Sequence, residues 1–307
     1  MKRVVGFGAL NVDNIFKVEN LKMSENSAYP IDVQAGGNAA NTISALAKLG
    51  VACGFIGLVA SDAYGKLILS EFKKRKIDTS NINVRKQEGF SNSSGIVETY
   101  VDKRGNRALF VKPGANNTLR ESDINMNYIK AFDYIHISSF VDSKQLEVQK
   151  KIVAKLPKNL KVSFAPGSLY VHRGLKAVLP IIKNTYLLTL AKNEAYHLTG
   201  KNYKKAAEYL ISLGPKIVVI TQGKEGCYIA TKHSTFTQKA RKVSVIDTTG
   251  AGDAFIAGFL FGLLNNQSMG KCAQIGNAIA SFSVQNIGAR AGLPNRKELT
   301  TIVSLVK

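Results

Sequence analysis

Cysteine is scarce in this 307-residue chain: Cys53, Cys227 and Cys272 stand far apart, without metal-ligand spacing, and an odd, sparse set is poor material for a disulfide framework. A reducing cytoplasm is the expected compartment. Long apolar runs are missing as well. The longest, such as Ala254 to Leu264, are too short and too interrupted to span a bilayer, and Asn11, Asp13 and Asn14 break the N-terminal stretch before a signal-peptide core is complete. No membrane partner is expected. Acidic residues are outnumbered, 21 against 42 Lys and Arg, which gives a formal charge of +21 and raises the question of nucleic acid. The cations, however, are scattered through every segment. The densest run, Lys73-Lys74-Arg75-Lys76, closes an expected helix where cations suit the macrodipole, and no aromatic-plus-basic recognition motif is present. Nucleic acid is therefore not an expected partner, whereas a basic surface does help recruit anionic nucleotides.

What is present is an ordinary globular composition, 45% hydrophobic, in a chain long enough for one large core with a small appendage. Its most informative stretch is Val245-Ile246-Asp247-Thr248-Thr249-Gly250-Ala251-Gly252-Asp253-Ala254-Phe255. An extended apolar segment runs through small residues into an apolar helix ending near Leu264. Gly250 and Gly252 let the backbone approach a ligand closely, and a helix N-terminus offers unpaired N–H groups that suit phosphate oxygens or a developing anion. Asp253 would be repelled there unless it accepts a proton from a hydroxyl attacking that phosphate. The alternative is a carboxylate that merely favours the helix start.

Taken in order, residues 4–8 read as a buried strand, and Asn11 and Asp13 follow on one side of an extended backbone, where open α/β sheets put ligands; an Asx-type turn is the other reading. After Gly36-Gly37, the positions Ala39, Ile43, Leu46 and Leu49 recur at helical spacing, which puts Asn38 and Asn41 on the first turn. A plain Gly-rich turn with an Asn N-cap would look the same. A strand at 53–59 and a helix at 63–74 continue a βαβ rhythm. Residues 94–101 and 107–111 flank a turn signature at 102–106, so a hairpin is expected; with strands near 15–18 and 31–33 it makes a small lid sheet. Alternation resumes from Asp133: strands at 134–137, 161–164, 186–190 and 217–221, and helices at 144–156 and around Ala195 and Ala206. Thr221, Gly223 and Gly226 then form either a phosphate loop or a β-turn before a strand at 227–230. A last apolar helix, 269–284, carries Asn277. The expected fold class is α/β, a doubly wound and mostly parallel sheet.

Asn11 and Asp13 after the first strand, Gly36-Gly37-Asn38 with Asn41, the 94–111 hairpin with Pro113-Gly114-Ala115-Asn116, Thr221-x-Gly223-x-x-Gly226 and Asp247-Thr248-Thr249-Gly250-Ala251-Gly252-Asp253 together resemble the ribokinase-like (PfkB) family of carbohydrate and nucleoside kinases. The resemblance covers essentially the whole chain, residues 1–307 as one kinase domain with lid segments about 14–34 and 92–113. It implies an ATP- and Mg2+-dependent phosphotransferase acting on a hydroxymethyl group of a small-molecule sugar or nucleoside. Asp253 would be the catalytic base, and the N–H groups from Gly250 through Ala251 and Gly252 to Asp253 the anion hole. Asn11, Asp13, Gly37, Asn38 and Asn41 would contact the acceptor; Thr221, Gly223, Gly226 and Asn277 the nucleotide. Glu194 would hold magnesium through water, and Asp247 and Thr249 with the 284–292 loop stand where ribokinase binds a monovalent cation, which implies K+ stimulation. Lids in the family often pair through their edge strands, so a homodimer through the lid is the implied oligomer. Two departures stand out. Ribokinase proper has lysine at Asn38, and the family's Asn-x-x-Glu motif has asparagine where this chain has Ala191. The competing reading is a catalytically silent nucleotide- or sugar-binding sensor.

Overall fold

In the first strand Val4 and Val5 are both fully buried although they point to opposite faces. A strand with no solvent face belongs inside a sheet covered by helices on both sides. That is the arrangement in the computed structural model, which describes residues 2–86, 93–104 and 106–299. Residues 92 and 105, inside the expected lid segments, and 1, 87–91 and 300–307, inside the expected domain, lie outside the described residues.

The chain runs through β1 (Arg3–Phe7), β2 (Asn11–Lys17), β3 (Tyr29–Gly36), α1 (Asn38–Lys48), β4 (Ala52–Ala60), α2 (Ala63–Lys74) and β5 (Asp78–Arg85). It continues with β6 (Gly95–Val101), β7 (Arg107–Lys112), α3 (Met126–Lys130), β8 (Tyr134–Ser138), α4 (Ser143–Ala154), β9 (Lys161–Ala165), α5 (Gly167–Val171) and α6 (Leu175–Ile182). The remainder is β10 (Leu187–Ala191), α7 (Lys192–Thr199), α8 (Tyr203–Ser212), β11 (Ile217–Thr221), β12 (Cys227–Thr231), β13 (Thr235–Gln238), α9 (Ala251–Leu264) and α10 (Met269–Ser283). Nine strands form one sheet in the order β13-β12-β11-β10-β9-β8-β1-β4-β5. It is parallel from β11 to β5 and antiparallel only where β12 and β13 are added. One core joins Val4, Phe55 and Val219 to Leu46 of α1, Phe72 of α2 and Phe259 of α9. The other joins Val5, Ile56 and Val218 to Ile152 of α4, Val178 of α6 and Leu210 of α8.

The second sheet, β3-β2-β6-β7, springs from the carboxyl end of β1. Asn11 and Asp13 lie within β2, paired with Gly36 and Gln34 of β3, so the Asx-turn reading of that stretch does not hold. α9 is apolar almost all round because it is buried almost all round, and it lies against α10 with glycines at the crossing. A Cβ on Gly258 would come within 2.8 Å of the Gly276 backbone, and one on Gly262 within 2.7 Å of Cys272 Sγ. Among the described residues no helix is long and apolar enough to cross a membrane, and all three cysteines are free and buried.

Candidate active site

The site forms where the N-termini of α1 and α9 meet. Gly250, the N-cap of α9, has φ of 72°, and a Cβ there would lie 2.4 Å from that of Ala289. Both facts require glycine. The next turn presents backbone N–H groups that lack partners within the helix, and a Cβ added at Gly252 would meet open space. Asp253 is the acidic residue of the first turn of α9; its Oδ2 accepts from Asn41 Nδ2 at 3.0 Å, while Thr42 Oγ1 donates to its carbonyl at 3.3 Å. That placement fits the helix-start reading, and the bond from Asn41 ties the same carboxylate to α1. Burial pushes the Asp253 carboxyl up to about 7; the Asn41 bond and the Arg290 charge oppose this, and Asp13 and Glu194 add to it. A group titrating there is basic enough to take a proton and is still ionised near neutrality.

Asp13 is the second carboxyl of the site, pushed up to about 6 by burial and held back by Arg290. It fits only because Gly36 has no side chain, since a Cβ at Gly36 would sit 2.4 to 2.6 Å from the carboxyl group. Gly37 has φ of 102° and a Cβ on it would meet the Ala9 carbonyl; it is the N-cap of α1, so Asn38 lies on the first turn as expected and the Asn N-cap reading does not hold. Asn38 is exposed in the first turn, and the hydroxyl of Ser138 accepts from the Ala39 N–H at 2.9 Å. Asn11 is buried and committed: its Oδ1 accepts from Asn116 Nδ2 at 3.1 Å. Asn116 also accepts from the Leu10 N–H and donates to the Leu10 carbonyl, both at 2.9 Å.

On the other side of α9 a cavity of about 600 Å³ is lined by Thr221, Gly223, Gly226, Asn277, the apolar Val243, Phe255 and Val284, and the basic Lys224, Arg241 and Lys242. It reaches Ala251 and Gly252 at the helix N-terminus. Residues 223–225 make one 3-10 turn joining β11 to β12, and Asn277 Nδ2 donates to the Lys239 carbonyl at 3.0 Å, so that amide also holds the cavity wall. An adjoining cleft of about 780 Å³ runs past Ala191, Asn193 and Tyr203 and shares Thr221, Gly223 and Gly252. Glu194 caps α7, its Oε2 accepting the Ala191 N–H at 2.8 Å. Only this half of a capping box exists, because alanine has no acceptor to return. Burial pushes the Glu194 carboxyl up, while bonds from Ala191 and Ser168 pull it back. Asp247 ties two loops together: Oδ1 accepts from Thr249 N–H and Oγ1 at 2.8 and 2.7 Å, and Oδ2 from the Gly288 N–H at 2.8 Å. Among the described residues no group of three or more His, Cys, Asp or Glu could cage a metal.

The sequence matches the description "pfkB family carbohydrate kinase" over residues 1–296. The chain belongs to this family. A ribokinase of Staphylococcus aureus is 31% identical over 313 residues, spanning 98% of this chain and 99% of its own. An "uncharacterized sugar kinase" of Archaeoglobus fulgidus is 38% identical over 252 residues, 81% of this chain and 98% of its own. The crystal structure of a ribokinase from Thermotoga maritima superposes with a TM-score of 0.87 at 25% identity, covering 99% of this chain and 100% of that one. The pfkB-family member described here thus has the ribokinase fold and is a carbohydrate kinase, and the silent-sensor alternative has no support from these relatives.

Sequence reasoning about single motifs missed three side chains that organise this pfkB-family site: Ser138, which caps α1; Asn116, quoted as part of the resemblance without a role; and Arg290. The last donates from Nε to Asn41 Oδ1 at 2.8 Å and from Nη2 to the Gly36 carbonyl at 3.2 Å. In a chain with 42 basic residues nothing in composition marks one arginine. Its place in the 284–292 loop was the available signal.

Proposed function

We propose that this kinase moves the γ-phosphoryl group of ATP onto a primary hydroxyl of a sugar or nucleoside. Asp253 takes the hydroxyl proton as the oxygen bonds to phosphorus, the bond to the β–γ bridging oxygen breaks, and ADP leaves. Negative charge on the transferred group falls on the N–H groups of Gly250, Ala251, Gly252 and Asp253, which the start of α9 gathers in one place; the Ala251 N–H first gives up its 3.2 Å bond to the Thr248 carbonyl. The observation carrying this reading is the Asp253 carboxyl, held by Asn41 beside an open helix N-terminus and titrating near neutrality. Asp13 is read as the grip on acceptor hydroxyls, with Asn11, Gly37, Asn38 and Asn41 around it; the 600 Å³ cavity is read as the nucleotide site through Thr221, Gly223, Gly226 and Asn277. The small sheet β3-β2-β6-β7 is read as the lid. The test is an ADP-coupled assay over ribose, fructose, 2-keto-3-deoxygluconate, adenosine, inosine and cytidine. No turnover of any acceptor would overturn the proposal.

A magnesium ion on the nucleotide phosphates neutralises their charge. The donor chemistry fits an ion that keeps most of its waters: with one oxygen of Glu194 accepting the Ala191 N–H, lone pairs remain on the carboxylate for metal-bound water. Glu194→Ala is expected to raise the magnesium requirement at least tenfold. Ala191→Asn should keep or improve activity, most visibly at low magnesium, and should add about 1 kcal/mol of stability by completing the cap. Turnover titrated against magnesium, with thermal melts, checks both; an unchanged requirement in Glu194→Ala would remove Glu194 from the site. Asp247 and Thr249 with the 284–292 loop are the groups that would hold K+, and repeating the titration without potassium tests that assignment.

A homodimer through the lid belongs to the same reading. What supports it is the exposure of Tyr29, Ile31 and Val33 on β3 and of Leu109 and Phe110 on β7, the two edge strands of the small sheet. Sedimentation is expected to give twice the chain mass of 33.3 kDa, and a monomer at micromolar concentration would refute it. Three buried, free thiols fit a cytoplasmic location.

A further inference from the structure

We infer that Arg290 is a positioning residue that fixes the acceptor-binding carboxylate and the base as one unit, by dictating which way the Asn41 amide faces. A guanidinium can only donate. The Asn41 oxygen must therefore face Arg290 Nε, at 2.8 Å, which turns its NH2 toward Asp253, at 3.0 Å. With the arginine gone, the amide is free to flip and set its carbonyl against the Asp253 carboxylate. The same guanidinium donates to the Gly36 carbonyl, and Gly36 is the residue whose missing side chain leaves room for Asp13.

The loop carrying Arg290 is itself anchored to the anion hole. Gly288 donates to Asp247 at 2.8 Å, and Ala289 packs on Gly250. One side chain thus links β3, α1 and the start of α9. It is only 7% exposed, its Cζ lies over the Phe72 ring 5.9 Å from the centroid, and Nη1 has no hydrogen-bond partner among the described residues. A buried arginine with an unmatched donor is a costly way to fill space, which argues for a role in the chemistry. Its charged neighbours are Asp13 on β2, Asp253 on α9 and Arg75 and Glu71 of the α2 end; Asp253 also senses Glu194. Because the Arg290 charge opposes the effect of burial on Asp253, removing it raises that pKa further and moves the acid limb of the rate profile to higher pH.

The test uses the fastest acceptor of the six named above. Arg290→Gln removes the charge; Arg290→Lys keeps it and loses the fork. Both are expected to lower kcat/KM for the acceptor about 10- to 100-fold while the KM for ATP stays within about twofold of the parent. The acid limb should shift upward in Arg290→Gln only. Asn41→Ala combined with Arg290→Gln should cost little more than the worse single change, since one acts through the other. Identical acid limbs in all three proteins, or additive costs, would overturn the inference. Should Arg290→Gln not fold, Arg290→Lys decides alone: parental kcat/KM overturns it, and a selective acceptor-side loss supports it. The inference rests on Asp253 as base, and the two fail separately. Turnover in Asp253→Asn removes the base and this inference together, whereas an inactive Asp253→Asn beside fully active Arg290 variants removes Arg290 only.

Discussion

Asp253→Asn is expected to lose turnover by about 10²- to 10⁴-fold while binding ATP as the parent does. The amide keeps the shape of the side chain and its contact with Asn41, but it cannot accept the acceptor's proton. Because the Asp253 carboxyl titrates near 7, kcat/KM of the parent should fall as pH drops through that value, and the residual rate of the variant should lack this limb. A second consequence has the opposite sign. A carboxyl whose folded pKa is raised from 3.8 to about 7 makes the native state bind more protons than the unfolded chain, so stability falls as pH rises across that interval. Asp253→Asn relieves the cost and should melt higher than the parent at pH 8, with the gain vanishing near pH 4. Turnover within tenfold of the parent would remove Asp253 as the base, and a melting difference independent of pH would remove the burial argument.

Asp13→Ala is expected to raise the KM for the acceptor by about 10- to 100-fold, with the KM for ATP nearly unchanged. A hydroxyl hydrogen bond to a charged carboxylate contributes about 1.5–3 kcal/mol, and each 1.4 kcal/mol is tenfold in affinity, so the expected loss is that of one such bond, with water meeting the other hydroxyl. The effect should be confined to one substrate, because Asp13 lies on β2 and is absent from the cavity proposed for the nucleotide. Initial rates with each substrate varied in turn measure it. Equal changes in both constants would mean that Asp13 supports the fold and does not grip the sugar.

The framework was legible wherever burial imposed a period. Strands such as β1, β4 and β11 are apolar on both faces, and the amphipathic start of α1 follows its glycines, so a doubly wound sheet could be read directly. Elements whose residues are decided by neighbours were not visible. β5, Asp78–Arg85, is a polar edge strand held by pairing with β4, and α6 contains Pro180, which locally argues against a helix. In the site, Asn11, Asp13, Asn41 and Asp253 stood out because polar groups at strand ends and helix starts are conspicuous. Arg290 did not: its meaning comes from Asn41, 249 residues away along the chain, a separation that no local pattern spans. Ala191 was legible as a departure, but the capping bond that Glu194 makes to its N–H required coordinates.

The glycine crossing of α9 on α10 turns α9 into a stiff lever. Gly262 lies nine residues beyond Asp253, about 14 Å along the axis, and any side chain at Gly262 or Gly258 would have to pry apart two helices already in backbone contact. The tip that would move is the one carrying the proposed base and anion hole, and a shift of about 1 Å there is enough to cost about 100-fold in rate. Inactive yet folded variants should therefore map to two places, the rim that touches substrate and this buried hinge line that never meets it.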